Sequence, residues 1–146
     1  MYGGGMEIFM RLMGIDFGDA RVGIALSDPL GIMAQGYGTI KNDGTEKLYE
    51  EILSIIKEKE VTKIVIGLPK NMDGTEGFRA DATKAFAETL KTYTNAEIDF
   101  SDERLTTVSA HGFLSEMNVR GGKRKGVVDT LSAALILENY MKRHGF

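Results

Sequence analysis

Cysteine is absent from the 146 residues, and so is tryptophan. Without cysteine there is no disulfide, no thiolate metal site and no thiol nucleophile, a pattern that fits a reducing compartment. Histidine occurs only as His111 and His144, far apart in sequence, which argues against a histidine-rich zinc site. Any metal here should be a hard cation held by oxygen. Proline occurs only at Pro29 and Pro69, so there is no proline-rich linker, and no repeat or low-complexity tract interrupts the chain. Long apolar runs are missing too. The stretch Leu131 to Leu137 already contains Ser132 and falls far short of the ~20 residues of a membrane span. The first ten residues carry Glu7 and three consecutive glycines but no basic segment, so no secretory signal is read and the cytoplasm is the expected location. Residues 1–9 read as a poorly ordered leader, with Met10 an alternative start, and 10–146 as one domain.

What remains is an ordinary globular composition, 42% hydrophobic and 27% charged, in a chain long enough to bury a real core. The net charge of −3 argues against bulk electrostatic capture of nucleic acid. Its distribution is uneven. Residues 1–100 hold 11 basic against 16 acidic side chains, whereas 101–146 hold 7 against 5. Arg120–Lys125 contains four basic residues and no acid. Such a patch on an acidic body suits phosphate, although a solvated loop would look the same.

Hydrophobic periodicity predicts strands at Arg11–Asp16, Val22–Ser27 and Ile32–Ile40, joined by short turns such as Asp28-Pro29-Leu30-Gly31, as an antiparallel meander. The period then changes to 3.6. Leu48, Ile52, Ile55 and Ile56 mark a helix with Thr45 as N-cap, and Phe78, Ala82, Ala85, Phe86 and Leu90 mark another. Between them Lys63–Leu68 is β-branched and apolar, as a central parallel strand should be. Glu97–Ser101 is a weaker fifth strand, Thr106–Met117 a further helix and Val127–Lys142 a long apolar one. The order β-β-β-α-β-α-β-α-α implies a three-layer α/β/α domain around a five-stranded mixed sheet, with right-handed crossovers.

Three acidic positions fall where chemistry is placed in such folds. Asp16 ends the first strand, Asp102 and Glu103 end the fifth, and Asp129 lies in the first turn of the last helix as predicted here. Each has a plain reading: a turn cap beside Gly18, a helix N-cap, and a carboxylate favoured by the helix dipole. Together they say more. Carboxylates brought close repel one another unless they take up protons or bind cations. Mg²⁺ prefers a few carboxylates plus water and phosphate oxygens, and a pair of such ions supports phosphodiester hydrolysis. Asp16–Gly23 is a glycine-containing turn that leads into a strand, not a helix, so it is neither a Rossmann nor a P-loop fingerprint. Arg21 within it either meets a phosphate or pairs at the surface. Gly67–Thr75 begins where the fourth strand ends, in the region where ligands of open α/β sheets gather. Lys125 precedes Asp129 by one helical turn and so can share its face.

These residues resemble a known family. DFGDARVG (16–23), GLPKNMDGT (67–75), DERLTT (102–107) and KGVVDTLSAA (125–134) look like the four motifs of the YqgF/RuvX family, and the likeness runs from Met10 to the C-terminus. The resemblance implies an RNase H-like fold related to the resolvase RuvC. It implies a Mg²⁺- or Mn²⁺-dependent nuclease that matures the 5′ end of 16S rRNA, with a ribosomal subunit precursor as partner. Carried over by position, Asp16, Glu103 and Asp129 would hold metal, with Asp102 the alternative to Glu103. Lys125, Arg104, Arg124 and Arg21 would serve phosphates, and Gly67, Pro69 and Asn71 would line the groove. Two further readings stay open: a Holliday junction resolvase acting on branched DNA as a homodimer rather than a monomer, and a non-catalytic nucleic-acid-binding module. An actin-like or sugar-kinase ATPase, whose first loop also reads D-x-G, needs two domains where this chain has residues for one.

Overall fold

The computed structural model describes residues 11–28, 33–70, 75–102 and 121–144, with 121–129 described by backbone alone. Five strands, β1 (Arg11–Phe17), β2 (Arg21–Ser27), β3 (Ala34–Lys41), β4 (Val61–Leu68) and β5 (Glu97–Asp102), form one sheet in the order β3-β2-β1-β4-β5. β1–β2 and β2–β3 are antiparallel, whereas β4 runs parallel to both β1 and β5. Helices α1 (Glu46–Glu58) and α2 (Phe78–Leu90) interrupt the later strands, and α3 (Gly121–Arg143) follows β5. The three-layer mixed-sheet architecture is therefore present. The predicted helix at Thr106–Met117 lies outside the described residues.

Alternation along the central strands explains the layers. Met13 and Ile15 of β1, Val22 and Ile24 of β2, and Ile64 and Ile66 of β4 are buried against Leu48, Ile52 and Ile56 of α1 and Phe86, Ala87 and Leu90 of α2. The opposite pleat, Leu12, Ala25 and Val65, is buried against Ala133, Ile136, Leu137, Tyr140 and Met141 of α3. A strand covered on both faces has little room for polar residues, which is why β1 and β4 read as nearly unbroken apolar runs. Thr45 caps α1 as predicted, its hydroxyl accepting from the Lys47 N–H at 3.3 Å.

Two sequence expectations need correction. The α2 stripe is Ala80, Thr83, Phe86, Ala87 and Leu90, so Phe78, Ala82 and Ala85 face outward. Thr83 can be buried because its hydroxyl donates to the Arg79 carbonyl at 2.9 Å within the helix, which removes the cost of a bare polar group. Phe78, the first helical residue, sits beyond the end of the core and is 81% exposed. The last helix starts at Gly121 rather than Val127, which puts the segment 121–125 on helical backbone and position 129 in the third turn, not the first. The helix dipole acts only over the first turn, so it cannot account for an acid there.

Candidate active site

The sheet alternation places Asp16 on the α3 face, because Leu12 and Gly14 of the same parity face α3 while Met13 and Ile15 face α1 and α2. Asp16 is half-buried, one residue before β1 ends. Its partner across the β1–β2 ladder is Gly23. On the other side the β1–β4 ladder closes with Ile15 opposite Ile66, so the next positions are Asp16 and Gly67. Gly67 in turn pairs with Ser101 of β5. The carboxylate thus stands between two glycines in its own row of the sheet, at the C-terminal end of the parallel strands. Neighbours without side chains leave room for a bulky phosphate to approach a carboxylate that is fixed on rigid backbone.

The turn after Asp16 is held from two sides. The Gly18 N–H donates to the Arg21 carbonyl at 3.0 Å, closing the hairpin over Asp19 and Ala20. Asn42, at the end of β3, donates its side-chain N–H to the Gly18 carbonyl at 2.7 Å and its backbone N–H to the Ala20 carbonyl at 2.9 Å. Arg21 opens β2 on the same pleat as Gly23 and Ala25, so it shares the α3 face with Asp16. Asn42 was not singled out from sequence. No local pattern marks it, since its role is to strap a turn 24 residues away.

Parity along β5 puts Asp99 and Asp102 on opposite faces of the sheet. Asp99 and Ser101 face α3, whereas Ile98 and Phe100 pack with the α1 and α2 core. Asp102, opposite Leu68, falls on the latter side and away from the face of Asp16. Since β4 lies between β1 and β5, the two strands are next-but-one neighbours in the sheet. Glu103, Arg104 and Asn71 lie outside the described residues, as do the side chains of Arg124, Lys125 and Asp129. Among the described residues no three histidine, aspartate or glutamate side chains form a group that could hold a metal ion. Pro69 directly follows β4, at the same sheet edge as Asp16.

Position 129 is fixed through the helix that carries it. A Cβ on Gly36 would lie 2.1 Å from Thr130 Cγ2, and one on Gly14 would lie 2.7 Å from the Ala133 carbonyl oxygen. These two glycines let α3 press directly onto β3 and β1. Further along, Tyr140 donates its hydroxyl to Asp99 Oδ2 at 2.8 Å, and Arg143 donates to Ser101 Oγ at 2.6 Å. The Lys63 ammonium packs 5.1 Å from the centre of the Tyr140 ring and pairs with Glu97 at 2.9 Å. The helix therefore crosses the sheet obliquely from β3 to β5, over the face that bears Asp16. Burial pushes the Asp99 carboxyl up, but the bonds from Tyr140 and the Phe100 N–H, with Lys63 nearby, outweigh it and hold Asp99 below the usual aspartate value. A glycine interrupting the apolar β1 is the one sequence sign of this contact.

Residues 10–143 match the family model described as "RuvX: Holliday junction resolvase". The chain belongs to the RuvX family. A relative from Streptococcus thermophilus (strain CNRZ 1066), named "Putative pre-16S rRNA nuclease", is 48% identical over 137 residues, covering 92% of this chain and 99% of its own. One of the same name from Clostridioides difficile (strain 630) is 49% identical over 131 residues, covering 90% and 93%. Among solved structures, T. thermophilus RuvC in complex with a Holliday junction superposes with a TM-score of 0.58 at 11% identity, over 93% of this chain and 96% of that one. The fowlpox virus Holliday junction resolvase does so with a TM-score of 0.54, also at 11% identity, over 92% and 99%. At such identities the superpositions establish that this RuvX-family chain has the resolvase fold. Family description and relatives' names agree on one reaction class, cleavage of nucleic acid. No helix among the described residues is long and apolar enough to cross a membrane.

Proposed function

We propose that this RuvX-family protein is a divalent-metal-dependent phosphodiesterase that cleaves structured RNA, with the 5′ end of the 16S rRNA precursor as its substrate. The observation that carries the reading is Asp16: a half-buried carboxylate at a strand end, flanked by glycines, on the sheet face crossed by the helix that bears position 129. The donor chemistry suits a hard cation. The chain has no cysteine, and the described histidine, His144, is stacked on Tyr140 with ring centres 4.0 Å apart in the last turns of the protein. Asp16, Glu103 and Asp129 would hold Mg²⁺ or Mn²⁺; the parity of β5, which turns Asp102 away from Asp16, counts against Asp102 as the second acid. When bound as a pair, such ions lower the pKa of water and offset charge on the leaving oxygen.

The chain's own contribution is positioning. Gly67 and Pro69, with Asn71, would line the path of the nucleic acid beyond the strand ends. Arg21, on the face of Asp16, would take a phosphate oxygen, as would Arg104, Arg124 and Lys125. We place its action in the cytoplasm with a ribosomal subunit precursor as partner, a reading that the relatives' name as pre-16S rRNA nucleases supports. The family description favours a second substrate, the Holliday junction, and symmetric cutting of such branched DNA would call for a dimer.

Matched RNA precursor and junction DNA should be offered with Mn²⁺ to wild type and to Asp16→Asn. The expected result is RNA cleavage that falls about a hundred-fold or more in the variant. Calorimetric Mn²⁺ binding should weaken while the melting temperature holds. Cleavage by Asp16→Asn at the wild-type rate would remove the assignment. Preference for the junction, with a dimer by solution mass, would transfer it to the second substrate.

A further inference from the structure

An open groove lies on the far side of β1 from Asp16, against the N-terminal parts of α1 and α2. It encloses about 520 Å³ and is lined among others by Phe17, Asp19, Asn42, Asp43, Tyr49 and Ala82. That volume suits a group the size of a nucleotide. Its walls are aromatic and braced. Phe17 stacks on Phe86 with ring centres 4.4 Å apart, Tyr49 lies 5.6 Å from Phe86, and Tyr93 stacks behind Tyr49 at 5.2 Å. Phe78 stands one helical turn before Ala82, hence on the same side of α2, and is 81% exposed. An isolated surface aromatic needs no explanation. This one lies one helical turn from Ala82, which lines a groove with aromatic walls, and the neighbouring segment is anchored by the Glu76–Lys84 ion pair.

The polar groups narrow the choice of ligand. Asp19 and Asp43 offer carboxylate oxygens, and among the described residues no lysine or arginine lines the groove. Asp43 is held in place by the Thr45 N–H at 3.0 Å and the Thr45 hydroxyl at 2.6 Å. Phosphate is disfavoured there, whereas a flat ring carrying N–H donors finds both stacking surfaces and acceptors. We propose that the groove receives an unpaired nucleobase of the substrate, stacked against Tyr49 and Phe17, covered by Phe78 and bonded through its amino hydrogens to Asp19 or Asp43. The proposal rests on the nuclease reading. Phe17 directly follows Asp16 on the opposite face, so a strand whose phosphate lies at Asp16 reaches the groove by passing over the Gly18–Arg21 hairpin.

The test is a binding experiment on metal-free protein, which keeps it separate from cleavage. Short single-stranded oligoribonucleotides, each with an abasic nucleotide at one position, are titrated into wild type, Phe78→Ala and Ala82→Trp. Both substituted side chains are exposed, so the fold should be retained, and Ala82→Trp fills the groove. At one position the missing base should weaken wild-type binding about five-fold to one-hundred-fold, the worth of one base stacked on an aromatic ring. Each protein variant should lose a similar factor with intact RNA and almost nothing more with the abasic RNA. Equal binding of every abasic RNA by wild type, or losses that multiply in the variants, would overturn the groove assignment. Retained cleavage by Asp16→Asn would instead strike at the nuclease reading.

Discussion

Replacing Gly14 with alanine should separate the seat of α3 from the chemistry of Asp16. The added Cβ would lie 2.7 Å from the Ala133 carbonyl oxygen and 2.9 Å from Leu137 Cβ, whereas ordinary contact begins at 3.4 Å. Both neighbours are backbone or backbone-proximal atoms, so no flexible side-chain end can swing away. The helix has to retreat by about 0.7 Å, and overpacking of this kind costs about 1–3 kcal/mol. For a domain of this length that corresponds to a Tm lower by about 2–12 °C. Gly38→Ala is the control, because nothing lies within 4 Å of its Cβ, and its effect should stay within about 0.5 kcal/mol. The displacement also carries the turn that bears position 129, which immediately precedes Ala133. Mn²⁺ affinity by calorimetry and cleavage of RNA should therefore fall in Gly14→Ala but not in Gly38→Ala. A Gly14→Ala protein with wild-type melting temperature, metal affinity and cleavage would refute the claim that this glycine sets the helix against the site.

Two further outcomes concern stability. Ser132 is fully buried, and its hydroxyl has no hydrogen-bond partner among the described residues, so Ser132→Ala should raise stability by about 1 kcal/mol in a denaturant titration. Asp99 has a folded pKa below its ordinary value of 3.8, so its contribution is present above that value and is lost as pH falls through the lower folded one. Tyr140→Phe removes the hydroxyl that bonds Asp99 at 2.8 Å. It should cost about 1–2 kcal/mol at neutral pH and flatten the acid limb of a Tm-against-pH curve. An unchanged acid limb would mean that the bond does not hold Asp99 ionised.

The resolvase fold gives these residues a common logic. The candidate acid Asp16 stands at the C-terminal end of β1, beside the C-terminal end of β4. The ties from Tyr140 to Asp99 and from Arg143 to Ser101 fasten α3 to the edge strand β5, and the glycine seats fasten it to β3 and β1. A helix held at both ends of its crossing can present an acid from its early turns to a fixed strand end. That is the preorganisation the proposed metal-dependent hydrolysis would require.

Within the described residues strand and helix order was legible from the chain alone, because period-2 and period-3.6 burial are local properties that each segment satisfies for itself. Asp16 was legible for a related reason: a carboxylate at the end of an apolar strand stands out against its neighbours. The outward face of α2 was misread because alanines carry little burial information and Thr83 hides its hydroxyl within its own helix. The start of α3 was misread because glycines and lysines at 121–125 carry no apolar period. That Asp102 falls on the side away from Asp16, which glycines admit the helix, and which side of β1 carries an aromatic groove were decided by tertiary structure. Each depends on the register between strands far apart in sequence, and register is a property of the assembled sheet rather than of any one segment.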